Sequence, residues 1–271
     1  MLTVDTHCHV LDTWFEPVEV LLFQMARADV DKAVLVQMSS NYDNSYLVEC
    51  SDRFPGQFAI VGSVDTSAPD CLEKLEHWAG LGVVGVRLTP MQRSGGEDPL
   101  AVWKKADSLG MLADLWALHG PDAMKGFVSD EFVGLVERFP QMPFVIEHLG
   151  FVANDPDPPY ADFTRILALS RYPNVFMKLP GIGEFVPKPV PHRSPPFDFD
   201  AIPPFIDMAL DAFGPDRVMV GSDHPRCSDW EGYSNVFGYL REYLERLLNA
   251  DEMASVLGAT AERIYFANHV G

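Results

Sequence analysis

Eight short apolar runs, each followed by a stretch with helical spacing, constrain this chain more than any other feature. The runs lie at 3–10, 32–37, 58–62, 83–88, 112–116, 144–148, 175–179 and 217–223. Amphipathic segments around 17–23, 46–54, 69–79, 99–109, 123–139, 160–171 and 201–213 separate them, and further helices are expected at 234–248, 251–257 and 260–266. Strand–helix alternation implies parallel βαβ units, and eight such units close a barrel. An open doubly wound sheet would carry a glycine-rich nucleotide loop after an early strand, and none is present. The expected fold is α/β, a (β/α)8 TIM barrel forming one domain over residues 1–271. No linker or low-complexity segment divides it. Its irregular stretch follows strand 7, from 180 to 204, where eight prolines alternate with Phe185, Phe197 and Phe199. Proline at this density forbids regular structure and keeps a loop stiff. On a barrel such a loop joins the carboxyl face and reads as a wall of the substrate pocket.

The polar residues that end these apolar runs carry the chemistry. His7 and His9 end the first, Arg87 the fourth, His148 the sixth, Lys178 the seventh and Asp223 the eighth. In a parallel barrel these ends converge on one rim, where polar residues read as catalytic. Alternation along the first strand puts His7 and His9 on one face, with Asp5 a step below them. The His-x-His pair alone fits two ordinary hydrogen-bonded histidines equally well; its companions on the rim give it weight. Three imidazoles and a carboxylate suit one divalent ion, Zn²⁺ or Mn²⁺, with an open position for water. The same four also suit a metal-free centre in which the histidines polarise a carbonyl and Asp223 takes a proton from water. Activity would then fall at acid pH.

Arg87 offers a bidentate grip on a carboxylate or oxyanion. Arg226 is a second anion ligand, Lys178 a further substrate contact, and Trp14, Phe15, Trp116 and Trp230 are candidate walls. His119 stands three residues beyond Trp116 as a further ligand. His224 is expected to turn away from the site, and His77, His192 and His269 to lie on loops or the surface. No Gly-x-Ser-x-Gly elbow or cysteine nucleophile context occurs, which disfavours a covalent acyl-enzyme.

The formal charge of −19, from 20 Lys and Arg against 39 Asp and Glu, argues against nucleic acid and anionic membrane as partners. The expected partner is a small molecule, anionic or polyhydroxylated, and self-association into a homo-oligomer stays open. Four scattered cysteines without a C-x-x-C pair read as free thiols of the cytoplasm. No run approaches the length of a membrane span, and no leader pattern opens the chain.

The segments Asp5-Thr6-His7-Cys8-His9, Gly85-Val86-Arg87, Phe144-Val145-Ile146-Glu147-His148-Leu149-Gly150, Met177-Lys178-Leu179-Pro180-Gly181 and Gly221-Ser222-Asp223-His224-Pro225 occur in this order at the strand ends. Together with the closing Gly258-Ala259-Thr260-Ala261-Glu262-Arg263-Ile264-Tyr265, they resemble the amidohydrolase superfamily, in its amidohydrolase-2 branch. Within that branch the sequence is similar to the sugar-lactone and 2-pyrone-4,6-dicarboxylate lactonases. Decarboxylases of aromatic-pathway acids are the alternative. The resemblance implies a hydrolase centred on His7, His9, His148 and Asp223, with Asp223 as general base and Arg87 binding substrate. It departs from metal-dependent relatives in lacking a histidine at 115–117 and a lysine on strand 4, so at most one metal ion is expected. A non-catalytic binding protein on the same barrel is the reading from another class.

Overall fold

The computed structural model describes residues 1–117, 122–155, 157–186 and 197–267. Its eight strands are β1 (Val4–Cys8), β2 (Lys32–Val36), β3 (Phe58–Gly62), β4 (Val83–Leu88), β5 (Leu112–Leu115), β6 (Phe144–Ile146), β7 (Val175–Leu179) and β8 (Val218–Val220). Adjacent strands pair in parallel in sequential order. The eight expected strands are all present, in an α/β barrel of the (β/α)8 kind. His119, His192 and His269, with residues 187–196 of the proline-rich stretch, lie outside the described residues.

Closure between β8 and β1 uses little regular ladder. The backbone contributes Asp223 N–H to His7 O at 2.9 Å and His9 N–H to His224 O at 2.7 Å. Side chains supply the rest. Thr6 Oγ1 donates to Val220 O (2.8 Å), and Asp5 Oδ1 accepts from the backbone N–H of Ser222 (2.8 Å) and of His7 (3.1 Å). The register of β1 shifts between Asp5 and Cys8. That irregularity corrects one expectation: Asp5 does not lie under the imidazoles but accepts from Cys8 Sγ (2.9 Å) and ties the seam. An added residue breaks strict alternation, so the face predicted by counting in twos fails at this point.

Helices cover the barrel because their apolar residues recur at three and four. In α1 (Val18–Ala28) Val18, Leu21, Met25 and Ala28 are buried, and the helix stops at a left-handed Asp29 whose N–H returns to Met25 O. The others are α2 (Ser45–Arg53), α3 (Cys71–Gly80), α4 (Ala101–Ser108), α5 (Asp130–Arg138), α6 (Ala161–Leu167), α7 (Phe205–Phe213), α8 (Tyr233–Leu244) and α9 (Ala250–Ala254). The helix expected over 123–139 is interrupted. A 3₁₀ stretch, Ala123–Val128, precedes α5, because Ser129 is extended and its hydroxyl caps the Phe132 N–H. The two closing helices are one run, in which α9 continues through π turns at Ser255–Ala259 and Glu262–Phe266.

The larger core cluster lies between sheet and helices and includes Trp103, Phe132, Phe144, Phe163, Phe205 and Phe237. A second fills the barrel with Val4, Val34, Val36, Val61, Val84, Leu112, Val145, Phe176 and Met219, joined by Ile264 and Tyr265 of the closing run. Two residues further along three of these strands, the inward positions turn polar. Leu112 gives way to Asp114, Val145 to Glu147 and Phe176 to Lys178, all buried. The apolar barrel thus carries a charged floor toward its carboxyl end. Among the described residues no helix is long and apolar enough to cross a membrane, and all four cysteines are free and buried.

Candidate active site

A cavity of about 560 Å³ opens on the carboxyl face. His9, Arg87, His148 and Asp223 line it, with Glu184, Arg226 and Asp229 among the other polar residues and Phe15, Trp116, Phe151 and Trp230 among the aromatic ones. His7 is buried against this group. Its Nε2 lies 3.2 Å from His9 Nε2 and 3.8 Å from Asp223 Oδ1, while His9 Nε2 is 3.4 Å from the same oxygen. The rings of His7 and His148 meet edge to face at 4.6 Å. The four residues expected from the strand ends therefore converge.

Two of them adopt backbone conformations that L side chains seldom take. His148 has φ 50° and Asp223 φ 56°, both left-handed. The turn at His148 and Leu149 ends β6 at Ile146 instead of letting it run to His148 as expected. Strain of this kind gathers where side-chain aim matters more than backbone comfort.

The other expected residues divide: Arg87, Arg226, Phe15, Trp116 and Trp230 line the cavity and His224 and His77 stand as expected, while Lys178 and Trp14 do not reach the wall. Arg87 reaches the cavity wall, but its fork is closed by Glu147, with Nε–Oε1 2.8 Å and Nη2–Oε2 2.7 Å, and Nη1 donates to Gln37 O. The guanidinium also lies 5.5 Å from the Trp116 ring. Lys178 does not line the cavity. It lies beneath His7, donating to Asp114 Oδ2 at 2.6 Å, with Nζ 3.4 Å from His7 Nδ1. Arg226 is exposed at the rim, 5.7 Å from the Trp230 ring. Trp14 is 80% exposed and takes no part in the wall. His224 turns away, its buried ring against Tyr233, and His77 is exposed.

Sequence reasoning passed over Asp114, Glu147 and Glu184. The first two carried a signal, since each is an acid inside an apolar strand. Glu184 carried none, because a loop position becomes a partner only once the loop folds back. Its Oε2 lies 2.8 Å from His148 Nδ1.

Burial and charge set the protonation states. Burial, reinforced by Lys178 and His148, holds His7 well below the ordinary imidazole value, so this ring is neutral. Burial alone would lower His148 too, but Glu184, with Asp223 and Glu147, lifts it to about 9. Burial raises Glu184 against the pull of His148, yet the imidazole keeps the proton at neutral pH. For Asp223 burial acts upward, but the His9 ring, His148 and Arg87 outweigh it and hold the carboxyl below its ordinary value. Beneath, burial pushes Asp114 up to about 6 despite Lys178, while Arg87 draws Glu147 down to about 2 against its burial.

The donor set fits one divalent ion. His7, His148 and Asp223 each offer an atom within 4.8 Å of the others. The separations among His7, His9 and Asp223 are close to the roughly 3.4 Å expected of two donors on one tetrahedral ion. His9 Nδ1 is 2.7 Å from Val36 O, and Glu184 backs His148, as outer partners of metal-bound imidazoles do.

A cavity at the carboxyl face of a (β/α)8 barrel, floored by imidazoles and an ionised carboxylate, marks an enzyme. The family model described as Amidohydrolase (Amidohydro_2) matches residues 4–267, and the chain belongs to that family. It is 28% identical over 249 residues to an L-fucono-1,5-lactonase of Burkholderia multivorans, covering 86% of this chain and 80% of that protein. To a 4-sulfomuconolactone hydrolase of Hydrogenophaga intermedia it is 27% identical over 226 residues, covering 81% and 67%. Among solved structures, a zinc-bound amidohydrolase from Burkholderia multivorans superposes with a TM-score of 0.80 at 22% identity, covering 98% and 99%. The fold also matches a 5-carboxyvanillate decarboxylase from Sphingomonas paucimobilis, with a TM-score of 0.68 at 15% identity, covering 97% and 98%.

Proposed function

We propose that this protein hydrolyses a lactone of a polyhydroxylated acid, with His7, His9, His148 and Asp223 as its reactive centre. The observation that carries this reading is the meeting of Asp223 and His148, the latter backed by Glu184, at the floor of one cavity; their surroundings favour the carboxylate of Asp223 and the imidazolium of His148. Asp223 takes a proton from water as that water attacks the lactone carbonyl. Glu184 occupies Nδ1 of His148 and leaves Nε2 to donate to the carbonyl oxygen and then to the departing ring oxygen. If a divalent ion were held there by His7, His148 and Asp223, with His9 beside it, His148 would give up its Nε2 proton, and the ion rather than the imidazolium would supply the polarisation of the carbonyl.

The walls favour a hydroxyl-rich ring over a dicarboxylate. Glu147 already neutralises Arg87, and Glu184, Asp223 and Asp229 face the same space as Arg226. Phe15, Trp116, Phe151 and Trp230 offer flat faces against which a sugar ring can lie. Two relatives named for opening lactones support the reaction class.

The test is a panel of sugar-acid lactones, muconolactones, a pyrone dicarboxylate and hydroxylated aromatic acids in H₂¹⁸O, with and without added Zn²⁺ or Mn²⁺. The expected result is one ¹⁸O incorporated into the product acid of a sugar-acid lactone. Release of carbon dioxide without ¹⁸O uptake would replace this reading by decarboxylation.

A further inference from the structure

Glu184 stands behind His148 at the end of a short segment with little stiffness of its own. It closes a single 3₁₀ turn, Ile182–Glu184, just past β7, and that turn contains Gly183 and follows Gly181. Glycine leaves a backbone freer than any other residue does. Glu184 N–H returns to Gly181 O at 3.1 Å and Val186 N–H to Ile182 O at 3.0 Å. The first N–H groups of such a turn have no partner within it. Gly183 N–H finds one in another loop, donating to Glu231 Oε1 at 3.1 Å.

The backbone at 231 is well fixed. Trp230 N–H and Gly232 N–H both return to Cys227 O, at 3.1 and 2.9 Å, and Glu231 O accepts from Asn235 Nδ2 in α8 at 2.7 Å. From this base the side chain reaches across to the two glycines. A Cβ on Gly181 would stand 2.5 Å from Glu231 Oε1, and one on Gly183 would overlap Glu231 Oε2 and come within 2.7 Å of Trp230 Cβ. Residues 181 and 183 thus admit the carboxyl only because they lack side chains. Glu231 does not line the cavity, and its Oε2 is buried without a hydrogen-bond partner among the described residues. A buried polar atom left unpaired in this way asks for a compensating role.

We propose that Glu231 is a positioning residue: from the loop after β8 it anchors the turn after β7 and so keeps Glu184 Oε2 within 2.8 Å of His148 Nδ1. It acts only through Glu184. The two carboxyls divide the work, one backing the imidazole and the other holding the backbone that carries the first.

Only the kinetic half of the test rests on the proposed lactonase activity; the geometric half is read in crystals of the full chain and decides the matter even for a protein that opens no lactone. Glu231→Ala leaves the Gly183 N–H without its acceptor, and its structure should show Glu184 beyond hydrogen-bond reach of His148 Nδ1 with α8 in place. Glu231→Gln keeps an acceptor at the same reach and should retain the contact. If Glu231→Ala does not fold, Gly183→Ala breaks the same link from the other side, because the added methyl meets Trp230 Cβ and the Glu231 carboxyl. A Glu184–His148 contact left intact in the variant would overturn the proposal. On a lactone that the wild type opens, Glu231→Ala should lower kcat by about tenfold, the same factor as Glu184→Gln, with KM little changed. Added to Glu184→Gln, it should cost less than about twofold more. A full second loss in that background, or a Glu231→Gln enzyme as impaired as Glu231→Ala, would show that Glu231 does not act through Glu184.

Discussion

Glu147 closes the fork of Arg87 with two hydrogen bonds of 2.8 and 2.7 Å, joining β6 to β4 across the barrel interior. The Glu147 side chain is wholly buried, and that of Arg87, at the cavity wall, is 8% exposed. Such a pair contributes little net stability, yet removing one partner strands the other. Arg87→Met should therefore cost about 3–5 kcal/mol in urea unfolding, and the double variant Arg87→Met/Glu147→Gln should recover much of it. Equal losses in the single and double variants would show that packing, not charge, dominates this pair.

Asp223 gives the acid side of the pH dependence. Its folded-state value lies below the ordinary 3.8, so the carboxylate persists through mildly acid solution. The form needed to accept a proton from water, and the stability its environment confers, are present above pH 3.8 and lost as pH falls through the lower folded value. The acid limb of a steady-state profile should thus be centred below pH 3.8. The general expectation of weaker activity in acid is narrowed to a region where global unfolding must be followed alongside. Asp223→Asn should lower kcat by about 10²–10⁴-fold with a small change in KM.

How much of this was legible beforehand depends on whether a signal runs along one strand or between strands. The eight strands and the polar rim follow from local periodicity, and so do the inward acids, because Asp114 and Glu147 stand two residues beyond Leu112 and Val145. The choice of partners does not. Arg87 meets Glu147 two strands away, and Lys178 meets Asp114 likewise, through the curvature of the barrel. Lys178 looked like a substrate ligand because its counter-charge was distant in sequence, and the carboxylate that occupies the fork of Arg87 at the cavity wall was hidden for the same reason. Glu184 was invisible for the same reason, and the seam irregularity at β1 turned Asp5 from a floor residue into a closure residue.

His148 and Glu184 set the alkaline side. The folded-state value of about 9 exceeds the ordinary 6.5, so the stability gained from this pair is complete below pH 6.5 and lost as pH rises through about 9. Activity that needs the imidazolium falls over the same upper limb. After subtraction of spontaneous lactone opening, kcat/KM should decline near pH 9. Glu184→Gln removes the first counter-charge and should bring that limb down by about one to two pH units while the acid limb stays. An unmoved limb would detach His148 from the proton donor's role.

Gly221 tests the seam that holds His7 against Asp223. A Cβ at this position would stand 2.8 Å from His7 Cβ and 3.3 Å from His7 N, closer than ordinary packing allows. β8 therefore approaches β1 only because residue 221 has no side chain. Gly221→Ala forces the strands apart at the point where Asp223 N–H bonds His7 O at 2.9 Å. The expected stability loss is about 1–3 kcal/mol, as for overpacking elsewhere in a core. The expected loss of kcat is larger than that figure alone would suggest, because a small misplacement between base and imidazoles is costly to a positioned reaction. Thermal unfolding and kcat measured on the same preparation separate the two effects. A variant with lowered stability and unchanged kcat would show that the seam supports the fold without tuning the centre.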